Sequence, residues 1–190
     1  MKTKSEKIKP DKKLAAVCGL FCPSCIIYIG ARETAPRRAA IARSMGLEPE
    51  TIRCDGCRSE NRFSYCSTCQ IVACAQGRGI DFCSNCSGYP CTKLQEFQNA
   101  YPHRLELWPW LDRIAAVGYE TWFDEMLERF SCPECGTINS AYHLVCRVCG
   151  KSPGSAFAEA HHEKIAAHKR AQSLAAKKAV PQAAQPRPKK

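Results

Sequence analysis

The sequence predicts a small, metal-stabilised, cysteine-rich domain that is mainly α-helical and loop-rich, then a helical segment, then a C-terminal zinc ribbon with a short β-hairpin. Three observations predict it. Fifteen of the 190 residues are Cys. Twelve of the fifteen fall in six C-x-x-C pairs, at Cys22/Cys25, Cys54/Cys57, Cys66/Cys69, Cys83/Cys86, Cys132/Cys135 and Cys146/Cys149. Between residues 92 and 130, apolar side chains recur at helical spacing.

The length allows one compact domain with appendages. Residues 1–13 carry six Lys but no apolar run suited to a signal peptide, and no stretch approaches a membrane span, so the expected location is the cytoplasm. There thiols stay reduced, and an odd number of them cannot pair completely, which argues against a disulfide scaffold. Two-residue spacing instead lets a tight turn aim two thiolates at one ion, so six repeats of it indicate metal.

Of the net charge of +10, residues 1–13 hold +4, residues 151–190 hold +7, and residues 14–150 hold −1. Each tetrathiolate site would add a net charge of about −2 to that body. The charge balance therefore argues against a basic groove built into the fold, and the expected place for loose binding of polyanions is the tails.

Taken in order, residues 1–13 form a basic tail and residues 14–131 the cysteine-rich domain with a helical second half. Within it, residues 26–46 read as two short helices, with Pro36 opening the second and Gly46 ending it. Residues 53–91, dense in Cys, Ser and Gly, read as metal-pinned loops. Thr92-Lys93-Leu94-Gln95 has capping-box spacing, which predicts a helix starting at Thr92. Helical spacing then continues in pieces to Phe130, interrupted near Pro102 and at Gly118. All three Trp lie in these helices, which are expected to pack as the apolar counterpart of the metal-bound segment. Residues 132–150 are the ribbon. Residues 151–190 read as an exposed helix decaying into a disordered Pro/Gln/Lys tail.

The strongest metal signal is Cys132-Pro133-Glu134-Cys135-Gly136 followed by Cys146-Arg147-Val148-Cys149-Gly150. Each half is a knuckle in which Gly permits the turn that brings N–H groups toward sulfur. Two knuckles make a closed four-sulfur shell, and His143 between them reads as a surface residue. Upstream, Cys54, Cys57, Cys66, Cys69, Cys74, Cys83, Cys86 and Cys91 suffice for two more such sites, about three zinc ions in all, with the pairing left open. Cys18, Cys22 and Cys25 then remain.

Their C-x3-C-x2-C spacing also occurs in radical S-adenosylmethionine enzymes, whose long barrel this chain is too short to build. The alternatives for the three are an open metal or iron–sulfur cluster site, or participation in sites with downstream cysteines. Other motifs fail on inspection. Ala166 stands where a zincin needs its second His, and no P-C-x-x-C follows His161 and Glu163 as a deaminase requires. Cys22-Pro23-Ser24-Cys25 lacks the βαβ surroundings of a thiol–disulfide pair.

Cys18-Gly19-Leu20-Phe21-Cys22-Pro23-Ser24-Cys25, Cys54-Asp55-Gly56-Cys57-Arg58, the Cys69-x4-Cys74-Ala75 pattern, and Cys83-x2-Cys86 leading to Tyr89-Pro90-Cys91-Thr92-Lys93-Leu94 together resemble the domain-of-unknown-function family 3795 over about residues 14–98. The resemblance implies a cysteine-rich, metal-binding prokaryotic domain and brings no activity with it. Residues 132–150 resemble the short zinc ribbons appended to many proteins.

Three functional expectations follow. The first is a non-enzymatic zinc module that presents surfaces to another protein or to nucleic acid. The second is a redox or metal-cluster enzyme centred on Cys18, Cys22 and Cys25, with Trp108 and Trp110 lining a pocket. The third is a non-specific nucleic-acid binder acting through the basic tails. None involves a membrane, and the oligomeric state is left open.

Overall fold

A computed structural model describes residues 8–179 of the chain. Residues 1–7 of the basic N-terminal tail and the Pro/Gln/Lys end from residue 180 lie outside the described residues. Residues 8–13 lie against the body: Ile8 packs on the core and Lys12 Nζ lies 2.6 Å from an Asp81 carboxylate oxygen.

Helices α1 (Ile26–Ala31) and α2 (Ala35–Ser44) follow the predicted pair, with Pro36 in the first turn of α2, where its missing N–H costs nothing. Two short helices, α3 (Ser64–Ser67) and α4 (Gln70–Gly77), lie in the stretch expected to be loops. Helix α5 (Thr92–Asn99) begins at the predicted residue but not by the predicted means. Cys91, in extended conformation, is its N-cap, and the N–H groups of Leu94 and Gln95 both donate to the Cys91 carbonyl. No side chain caps this helix.

The helical run α6 (Leu107–Phe130) is not a straight rod, because Gly118 (φ 81°, ψ 161°) reverses it. Only glycine takes up such a conformation without strain. The two arms fold back on each other. Arg113 forks onto both carboxylate oxygens of Glu125, at 3.1 and 3.0 Å from Nε, and Arg129 forks onto Glu106. A continuous helix of this length would hold its ends about 36 Å apart. Beyond the cysteine turns come α7 (Ala156–Ala160) and α8 (His162–Ala179). The Ser155 hydroxyl caps α7 by accepting the Ala158 N–H at 3.2 Å.

The core is centred on Phe21, which enters the α6 hairpin from the Cys18–Cys25 segment. Its ring lies 4.9 Å from Phe123, 6.0 Å from Trp122 and 5.9 Å from Phe130. On the far side Phe157 of α7 stacks on Phe130 at 4.9 Å. The cysteine-rich segment, the hairpin and the C-terminal helices therefore share one apolar core, with a satellite around Ile27, Ala42 and Ile52. Trp110 is buried between Phe130 and Phe157, and Trp108 packs on Tyr89, so the Trp side chains act as packing groups.

The predicted β-hairpin is absent. Among the described residues there is no strand, only two isolated antiparallel bridges, Ala15 with Phe21 and Ser131 with Ile138. The segment 132–150 is thus not a zinc ribbon. The reason is one of length: each knuckle closes locally on itself, and the residues between them turn back at Ser140–His143, where the His143 N–H donates to the Ser140 carbonyl at 2.9 Å. Too little chain remains for two strands of the usual five or six residues.

Candidate metal centre

The two knuckles have the same backbone. In the first, the Cys132 N–H donates to the Thr137 carbonyl at 2.9 Å and the Gly136 N–H to the Cys132 carbonyl at 2.9 Å. In the second, the Cys146 N–H donates to Lys151 at 2.8 Å and the Gly150 N–H to Cys146 at 3.0 Å. Gly136 and Gly150 both sit at φ 71°, the left-handed conformation that closes each turn.

One buried side chain joins the two turns. Asn139, fully buried, donates from Nδ2 to the carbonyls of Thr137 (3.1 Å) and Gly154 (2.7 Å) and accepts the Arg147 N–H on Oδ1 (3.1 Å). Its own N–H donates to the Phe130 carbonyl at 2.8 Å, which fixes the site to the end of α6. Arg147 also forms an ion pair with Glu33 in the turn between α1 and α2, tying the site to the N-terminal half. A solitary Asn in a polar stretch carries no signal in sequence, and the role of Asn139 was not foreseen. His143, read as a surface residue, is half-buried and lies outside the four-sulfur group. Its Nδ1 accepts the Ser140 N–H at 3.1 Å, and burial pushes its pKa down to about 4.

The sulfurs of Cys132, Cys135, Cys146 and Cys149 all lie within 4.8 Å of one another. Cys132 and Cys149 are 3.7 Å apart, and Cys135 and Cys146 are 3.6 Å apart. Metal–sulfur bonds of 2.3 Å in a tetrahedron require edges of about 3.8 Å, so the donor set fits a single thiophilic ion. Cys132 and Cys146 are buried, and Cys135 and Cys149 face solvent.

The surroundings favour thiolate at two of the four positions. Burial opposes ionisation of Cys146, but the N–H groups of Cys149 and Val148 and the Asn139 side chain outweigh it and bring the thiol down to about 6. The hydroxyl and N–H of Thr137 lower Cys135. Cys149 is drawn down by the Lys151 N–H, but desolvation and then the Cys135, Cys132 and Cys146 sulfurs together push it up to about 12. Crowding of this kind is relieved when a cation occupies the centre.

The eleven upstream cysteines are arranged differently. Among the described residues, the C-terminal four are the one group whose ligand atoms all fall within 4.8 Å, where three zinc sites were expected. Cys18, Cys22 and Cys25 do not converge. Cys18 is buried in the core, its thiol pushed up by burial and then by Cys57, whereas Cys22 is pushed up by burial and then by Cys57 and Cys25. The pairs Cys22/Cys25 and Cys54/Cys57 face each other, with Cys66 beside them and pushed up to about 12 by burial and then by Cys25 and Cys54. Cys74, Cys83, Cys86 and Cys91 line one cavity, and Cys83 also feels Cys69 and Cys18. Burial first, then Cys91, Cys74 and Cys86, push Cys83 up to about 12.

Among the described residues, no helix is long and apolar enough to cross a membrane. No curated protein and no solved structure matches the chain. Residues 14–96, which carry all eleven upstream cysteines and stop short of the C-terminal four, are similar to the family described as "Protein of unknown function (DUF3795)".

Proposed function

We propose that this protein is a zinc module in which the metal fixes a surface for a protein partner and performs no reaction itself. The observation that carries the reading is the closed shell of Cys132, Cys135, Cys146 and Cys149. Four protein ligands fill the tetrahedron and leave no position for water or substrate. All-thiolate donors at this spacing suit zinc over the harder cations, which take oxygen. When bound, the ion supplies a crosslink between two turns that otherwise share one amide side chain. Support for the docking role comes from Val145 and Val148, which flank Cys146 and are 53% and 56% exposed, an unusual placement for β-branched apolar residues.

The test is metal analysis of the full chain purified anaerobically without added metal. Zinc in a colourless protein, lost together with the protection of the Asn139 and Cys146 amides when a chelator is added, is the expected result. Stoichiometric iron at these four cysteines, with visible charge-transfer absorption, would overturn it. A Val145→Asp/Val148→Asp double variant should keep its zinc while losing partner binding.

A further inference from the structure

We infer that Cys74, Cys83, Cys86 and Cys91 form a second tetrathiolate site for a single zinc ion. The inference extends the zinc reading above to a different set of ligands. The four residues come from three adjacent pieces of structure: Cys74 from α4, Cys83 and Cys86 from the two sides of a 3₁₀ turn, and Cys91 from the N-cap of α5. All four line one cavity of about 40 Å³, together with apolar side chains such as Ile71 and Leu94. No carboxylate or imidazole lines it, so sulfur is the only soft donor offered.

Four thiols around one small cavity match the four donors that a single tetrahedral ion takes. Two further features match a thiolate site. The Gly88 N–H donates to Cys86 Sγ at 3.4 Å, two residues on, as the Val148 N–H donates to Cys146 Sγ at 3.5 Å in the C-terminal site. Arg78 faces Cys74, Cys86 and Cys91, placing a cation where a tetrathiolate centre would carry its net charge of about −2. These sulfurs are spread more widely than the C-terminal four, so zinc binding must draw the α4 end, the turn and the α5 cap together by a short distance.

The experiment uses the full chain loaded with zinc alone. Cys91→Ser should lose about one zinc equivalent, Cys149→Ser about one, and the double variant about two, since the sets share no ligand. Cys149→Ser retaining its zinc would instead undo the reading of the C-terminal site and leave this one standing. Because Cys91→Ser could perturb the fold, a second measurement uses the unaltered protein. Cys74 and Cys91 are exposed, so their thiols should react readily with iodoacetamide unless metal holds them. Both should stay unmodified in the zinc-loaded protein and become labelled together after chelation. Rapid labelling of Cys74 and Cys91 with zinc bound, an unchanged zinc content in a folded Cys91→Ser variant, or iron held by these residues would each overturn the assignment.

Discussion

Residues 132–149 and residues 18–91 are built from the same C-x-x-C pairs, yet only the former gather four sulfurs within 4.8 Å. In the C-terminal region the ligands lie in two local turns, each closed by backbone hydrogen bonds and both gripped by Asn139. The sulfurs are therefore brought together by the protein before metal is considered. In the upstream region the ligands come from separate segments whose positions are set by packing around Phe21 and α6. There no local turn gathers four sulfurs, and the arrangement draws on contacts far along the chain. The contrast teaches that ligand spacing reports what can bind, whereas the contacts behind the ligands decide how preformed the site is.

The contrast is broken most severely by Cys146→Ser. Removing a ligand from a closed structural site forfeits metal-linked folding energy on the order of 10 kcal/mol. Hydrogen exchange should show the Cys132 and Asn139 amides losing protection while those in both arms of α6 remain slow. Melting of α6 in the same variant would mean the two regions are not separable. Phe21→Ala comes next: it opens a hole where four aromatic rings meet and should cost about 3–5 kcal/mol in urea unfolding. Its effect should fall upstream, leaving the cobalt spectrum of the C-terminal four sulfurs unchanged.

Asn139→Ala is the reciprocal change, stranding the buried carbonyl of Gly154 and the Arg147 N–H. A loss of about 2–3 kcal/mol is expected, with weaker metal binding at the C-terminal site alone. Equal weakening at both regions would contradict the local role given to this side chain. The smallest effect is one of pH. Cys146 lies at about 6, below its unfolded range, so its contribution is present above that range and lost as pH falls through about 6. Acid titration should therefore lower the stability of the C-terminal turns as pH falls through about 6, and a stability that stays flat there would remove the electrostatic side of the comparison.

Much of the helical framework was legible because its punctuation is local. Pro36, Gly46 and Gly118 each act through their own backbone, and the structure puts helix boundaries or a reversal beside them. The C-terminal ligand set was legible for the same reason. The hairpin was wrongly expected because the knuckle spacing fixes the turns but says nothing about the chain between them, which here turns at Ser140–His143. Thr92 was read as a cap from its hydroxyl, but the extended backbone at Cys91 takes that position. The grouping of the upstream cysteines could not be read, since it depends on how α4, the Cys83–Asn85 turn and α5 meet in space. Asn139 and Glu33 were illegible because each works through partners distant in sequence.

Glu106, at the base of the α6 hairpin, also accounts for the chain beyond it. Its carboxylate holds Arg129 at the end of α6, and Oε1 lies 2.7 Å from His161 Nε2 after α7. The whole excursion carrying the four C-terminal cysteines thus departs from and returns to a single side chain. Its ends are tethered, so most of the entropy of closing that loop is already lost before the knuckles meet.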